Sequence, residues 1–246
     1  MKNFNLLLVF IIYLLFISCT LDNDNSSDNN IELSEFVKNN YTNDAKQLYM
    51  HEIFNDTSHP NYNETSIDET EVNKILQIIQ AVYNLDIPET DTIFNQNNIH
   101  TYLCYSFNAL SLKVDTEIDE INNLAEGIIP TGNSNLDNIL SNYNFNSVEP
   151  AFSYPSFPWL TINFNGEFNM IPINNELATI HSIILTEMSS ICFGDGNNIT
   201  LTRNNNNATI IFSIGSGDCP AGCIYHKYWK FEVVNNTATF IRMYEN

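Results

Sequence analysis

Cys219, Cys223 and His226 are the residues whose types and spacing come nearest to chemistry in this chain. In Gly217-Asp218-Cys219-Pro220-Ala221-Gly222-Cys223 the glycines and proline demand a tight turn. A turn that brings the two sulfurs together across that gap allows a disulfide staple. The same cysteines with His226, and with Asp218 joining them, form a candidate zinc set of sulfur, nitrogen and oxygen donors. Thioredoxin-type exchange instead uses a two-residue gap with the attacking thiol at a helix start. Here three residues separate the cysteines and the neighbours read as strand, so a structural Cys219–Cys223 disulfide is expected. Cys104 and Cys192 are left as a second pair, and four cysteines allow three full pairings.

The other histidines offer less. His51-Glu52 begins like the helical zinc-protease motif, but Asn55 stands where the second His belongs, and His59 lies beyond it beside Pro60. His100 and His181 have no partner at a recognised spacing. Gly215-Ser216-Gly217 lacks the nucleophile-elbow pattern, which leaves Ser216 to the turn. The carboxylate groups Asp115, Glu117, Asp119, Glu120 and Glu64, Asp68, Glu69, Glu71 read as helix starts, where acids favour the positive end of the dipole. No catalytic residue, metal site or cofactor motif emerges beyond the cysteine turn. A different chemistry belongs to Phe152-Ser153-Tyr154-Pro155-Ser156-Phe157-Pro158-Trp159, where two prolines exclude a helix or a central strand. Either its rings fold a loop over the core, or Tyr154, Phe157 and Trp159 form an exposed platform for a protein, peptide or carbohydrate.

The elements that hold these residues fall into three stretches. In residues 31–90, Ala45 to Phe54 has helical spacing with Asn43 as its cap. A second helix follows the Ser66/Glu69 capping box. Its stripe of Val72, Ile75, Leu76, Ile79 and Val82 should pack on a sheet, with Glu71, Asn73, Lys74, Gln77 and Gln80 facing away. In residues 91–190 the segments Ile99 to Phe107, Ala109 to Val114, Trp159 to Asn163 and Ile183 to Glu187 read as strands. Leu136 to Tyr143 and Leu177 to Ile180 read as short helices, and Asn165-Gly166 signals a hairpin onto Phe168 to Ile171. Residues 191–246 are all strand: Ile199 to Thr202, Ala208 to Ile214, Ile224 to Val234 and Thr237 to Tyr244. Trp229, Phe231 and Val233 alternate with Tyr228, Lys230 and Glu232, giving one buried and one wet face, with His226 on the wet one.

The fold class expected is therefore α+β, with N-terminal helices, a central mixed segment and a C-terminal antiparallel sheet. The central order of strand, helix, two strands, short helix, strand over residues 99–188 resembles the ferredoxin-like prodomains of subtilisin-type proteases. That resemblance implies a ferredoxin-like centre and a protease-inhibitor-like role.

Nine basic residues against 29 acidic ones give a net charge of -20, which disfavours nucleic acid and anionic membrane surfaces. Lys2, the apolar run from Leu6 to Ile17 and a small residue at the cut describe a secretory signal over residues 1–18. Phe16-Ile17-Ser18-Cys19 resembles the lipobox of bacterial lipoproteins, and the acidic stretch that follows is similar to surface-export signals of the Bacteroidota. The resemblance implies lipidation of Cys19, a flexible tether over 19–30 and attachment to the bilayer at the cell envelope, either the outer membrane or the cell surface. An ordinary secretory signal is the alternative, and Asn63-Glu64-Thr65 and Asn198-Ile199-Thr200 would suit eukaryotic glycosylation. The expected role is non-catalytic binding or interaction. A metal-assisted hydrolase built on Cys219, Cys223 and His226 is the rival.

Overall fold

Helix-forming stripes and period-two strands assort into two hydrophobic cores, and the chain crosses from one to the other and back. The computed structural model describes residues 31–188, 195–204 and 206–246, so the expected signal over 1–18, Cys19, the expected tether over 19–30 and Cys192 lie outside the described residues. Helix α1 (Glu35–Asn55) is capped by Ser34, whose side chain accepts from the Val37 N–H, rather than by Asn43. The helix starts earlier than its apolar spacing predicts because Val37 and Tyr41 extend the buried stripe by two turns. Helix α2 (Glu69–Tyr83) is capped by Asp68, which takes the cap position expected of Ser66. Its stripe is buried as read, but Gln80 is also buried. The Gln80 Oε1 accepts both the Ser34 N–H and its hydroxyl at 2.8 Å, and its amide nitrogen donates to Asn84, so full pairing offsets its desolvation. A short helix α3 (Pro88–Asp91) and a π-helical turn (Thr92–Gln96) follow.

The predicted strand Ile99 to Phe107 forms only an isolated bridge at Tyr105. Side chains of α1 take the place of a neighbouring strand. Asp44 Oδ1 accepts the Thr101 N–H at 2.6 Å, and the Gln47 amide both accepts from Tyr105 N–H and donates to its carbonyl at 2.8 Å.

The middle of the chain is β1 (Ala109–Val114), α4 (Asp119–Ala125), α5 (Ser134–Asn142), β2 (Phe145–Pro150), β3 (Trp159–Phe164), α6 (Met170–Leu177) and β4 (Ile183–Glu187). Its strands form one antiparallel sheet in the order β2-β3-β1-β4, so each helical crossover skips one strand, the ferredoxin-like arrangement. Asn165-Gly166 does not make a hairpin. The chain turns there into α6, because Asn169 caps that helix through the Ile171 N–H and Pro172 suits its first turn. The helix accordingly ends at Leu177, where one was expected to begin.

The last strands, β5 (Asn198–Asn204), β6 (Asn207–Ser216), β7 (Tyr225–Val234) and β8 (Thr237–Glu245), form a second antiparallel sheet in sequence order. Trp229, Phe231 and Val233 point inward as predicted and share one core with Val72, Ile75 and Ile79 of α2 and Tyr41, Leu48 and Tyr49 of α1. The N-terminal helices and C-terminal strands thus make one half, and the ferredoxin-like segment with its own core is inserted between them. Asn169 joins the halves. Wholly buried, it donates to the carbonyls of Asn61 (3.1 Å) and Glu64 (2.8 Å), and its own N–H donates to Thr65. Among the described residues no helix is long and apolar enough to cross a membrane.

Candidate functional site

The aromatic stretch becomes the loop between β2 and β3, residues 151–158, at one end of the ferredoxin-like sheet. Its backbone is fixed from within: Tyr154 N–H donates to Ala151, Phe157 N–H to Ser153, and Ala151 N–H to Trp159. The three rings expected to act together divide. Tyr154 packs on the core and its hydroxyl donates to Asn122 at 3.3 Å, with burial pushing the phenol up, so it holds the loop rather than meeting a ligand. Phe157 stays 54 % exposed with its ring 6.2 Å from that of Trp159, and Phe152, which was not singled out among the binding candidates, is fully exposed. Trp159 lies on the sheet face left free by the helices, opposite Lys113, which in turn pairs with Leu185. From Ala151 to Trp159 there is no charged residue, in a chain of net charge -20. An aromatic, neutral projection held out by an inward tyrosine offers apolar contact to a partner.

The cysteine turn is a 3-10 helix (Cys219–Ala221), and Cys219 and Cys223 are joined in a disulfide as expected. Cys104 is disulfide-bonded as well, while Cys192, its expected partner, falls outside the described residues. With both sulfurs bonded to each other, neither Cys219 nor Cys223 is a thiolate ligand in this state. His226 is on the outer face as read, but its partner is Asp195, not Asp218. His226 Nε2 lies 2.8 Å from Asp195 Oδ2, and its ring stacks on Tyr228. The Gly196 N–H at 2.7 Å and His226 hold the Asp195 carboxyl below the usual range. Gly215 faces His226 across the β6–β7 pair, and a Cβ there would lie 2.3 Å from Cys223 Sγ. Only glycine lets the disulfide rest on that strand.

A third place was not legible in the sequence. An open cleft of about 630 Å³ is lined by His51, Glu52, Asp56, His59, Lys74 and Arg203 among others. Arg203 of β5 reaches two helices at once, donating from Nε to Glu52 of α1 and from Nη1 to Glu71 of α2, each at 2.9 Å. Burial pushes the Glu71 carboxyl up, but hydrogen bonds and charge from Lys74 and Arg203 outweigh it and hold the group below its ordinary value. His51 binds the Tyr105 hydroxyl at 3.1 Å, and His59 Nδ1 accepts the Asn61 N–H at 3.1 Å. Glu52 and Glu71 are therefore engaged as struts by Arg203, while the Asp56 carboxylate accepts from the Ser58 N–H and hydroxyl. The use of Arg203 is to clamp β5 onto both helices. The signal available was Arg203 itself, one of two arginines in an acidic chain and placed on a short strand.

His100 sits 2.8 Å from the buried Asp44 and stacks on Tyr41. Burial pushes the Asp44 carboxyl up, only partly opposed by His100 and Thr101. This chain matches no protein-family model, no curated protein and no solved structure.

Proposed function

We propose that this chain is a lipid-anchored protein of the bacterial cell envelope whose role is binding, and that the neutral aromatic loop of residues 151–159 is its contact surface. The supporting observation is the outward display of Phe152 and Phe157 beside Trp159, while Tyr154 is turned inward to hold the loop. Large apolar rings left in water contribute little to folding but much to association, because their area is available for a second burial. Roughly 25 cal/mol per Å² of apolar area makes even two such rings a useful anchor for a peptide or protein chain, or for the apolar face of a sugar. The lipobox-like Phe16-Ile17-Ser18-Cys19 supports the anchor.

The chain carries its own reporter for this reading. Of its two tryptophans, Trp229 is buried in the helix–sheet core and Trp159 stands at the loop. A panel of envelope polysaccharides and of apolar and proline-rich peptides, titrated against tryptophan emission, should include a ligand that shifts the wild-type signal. The shift should vanish in Phe157→Ser with Trp159 kept. A ligand whose binding survives both Phe152→Ser and Phe157→Ser would place the contact elsewhere and overturn the assignment.

A further inference from the structure

Cys223, His226 and Asp195 each offer one ligand atom, and those atoms all lie within 4.8 Å of one another. They come from two separate pieces of chain: the stretch from Cys223 into strand β7, which carries His226, and the segment just before β5, which carries Asp195. Their donors are sulfur, imidazole nitrogen and carboxylate oxygen, a set that suits zinc better than the harder divalent cations. Ligands on one tetrahedral zinc sit roughly 3.5 Å apart, as follows from metal–ligand distances of about 2.0–2.3 Å. The Asp195–His226 separation of 2.8 Å must therefore open slightly, and Cys223 must close by no more than a side-chain rotation. Neither Asp195 nor His226 is deeply buried, so an ion has access from solvent.

One feature of this cluster is incompatible with metal in the state described: the Cys223 sulfur is bonded to Cys219. We propose that the Cys219–Cys223 disulfide masks a zinc site, and that its reduction frees Cys223 to hold one zinc ion together with His226 and Asp195. The reductant is a dithiol. It breaks the sulfur–sulfur bond, is itself oxidised to a disulfide, and leaves a thiol on each cysteine. On binding zinc the Cys223 thiol gives its proton to solvent, and His226 presents Nε2 as a neutral donor with its proton on Nδ1.

Two further observations fit a bond that can be given up. The disulfide spans a sequence separation of 4, so it closes a very short loop and constrains the unfolded chain less than a long-range bridge would. Other contacts hold the same pieces together: Asp195 N–H donates to the Cys219 carbonyl at 2.9 Å, and Ile224 N–H to Ser216. The bare backbone of Gly215 gives the sulfur room against β6 in either state. Zinc would then tie the segment at Asp195 to β7 where the disulfide ties the turn to itself.

The decisive variant needs no reductant. Cys219→Ser in the full chain leaves Cys223 as a free thiol and spares the bridge made by Cys104. Competition against a chromophoric chelator should show one zinc per chain for Cys219→Ser and none at this site for the disulfide-bonded wild type. Adding His226→Ala or Asp195→Asn to Cys219→Ser should weaken zinc at least tenfold, while the cobalt-loaded Cys219→Ser chain should show a thiolate-to-metal absorption band that Cys223→Ser removes. Equal zinc uptake by wild type and Cys219→Ser would overturn the proposal, as would uptake by Cys219→Ser that His226→Ala leaves unchanged. Far-ultraviolet circular dichroism of each variant separates loss of the site from loss of the fold.

Discussion

Replacing Arg203 by Met keeps most of the side-chain volume and removes the charge that joins β5 to two helices. Arg203, Glu52 and Glu71 have side chains 18 %, 23 % and 24 % exposed, between the surface and the interior. Exposed pairs contribute about 0–1 kcal/mol, whereas breaking a buried pair costs about 3–5 kcal/mol because a charge is stranded. Here Glu71 keeps Lys74 at 2.6 Å, and Glu52 loses its arginine. The expected loss is therefore about 2–3 kcal/mol at neutral pH, which for a chain of this size lowers Tm by about 4–12 °C. The pH dependence follows from Glu71. Its folded pKa is depressed, so the stability it contributes is present above the unfolded value and lost as pH falls through the folded one. The gap between wild type and Arg203→Met should therefore be widest near neutrality and narrow as pH falls below the ordinary glutamate range. Urea unfolding in a Trp159→Phe background lets Trp229 alone report this core. Arg203→Lys should recover only part of the loss, since one ammonium cannot serve two carboxylates with a planar fork. A gap under about 0.5 kcal/mol at neutral pH, or one that does not change with pH, would refute the clamp.

Three further outcomes are expected. Asn169→Ala strands the carbonyls of Asn61 and Glu64 and uncaps α6, costing about 3 kcal/mol, while Asn169→Asp should be no better because a carboxylate cannot donate to them; chemical denaturation of both variants checks this. Asp44→Asn should gain stability relative to wild type as pH rises from the ordinary aspartate range, because the folded Asp44 pKa is raised and the wild type is penalised as that group ionises; a difference constant from acid to neutral pH counts against this. Cys19→Ser should move the protein from the membrane fraction to the soluble envelope fraction, and palmitate labelling should disappear with it; membrane association that survives the change argues against the lipid anchor.

Local patterns in the sequence determined most of the elements. The C-terminal sheet was legible because period-two burial and an Asn235-Asn236 turn, with φ of 47° and 60°, are properties of adjacent residues. The stripe of α2 and the Cys219–Cys223 staple were legible for the same reason, whereas the centre reaches its ferredoxin-like order with an unexpected strand, β2 (Phe145–Pro150), in place of the one read at Phe168 to Ile171. What failed was whatever depended on a distant partner. Asn165-Gly166 specified a turn, but Asn169 and its carbonyl acceptors around Asn61 and Glu64 decided that a helix should follow. Gln80 reads as polar surface, yet lies inside because the backbone N–H and hydroxyl of Ser34, 46 residues away, satisfy its amide oxygen. Arg203 meets Glu52 and Glu71 across 151 and 132 residues, and Asp195 meets His226 across 31, which no spacing rule anticipates. Sequence periodicity determines which face of an element is apolar. Only the tertiary structure decides which polar group meets which, since burying a charge or an amide is tolerated only where folding delivers its partner.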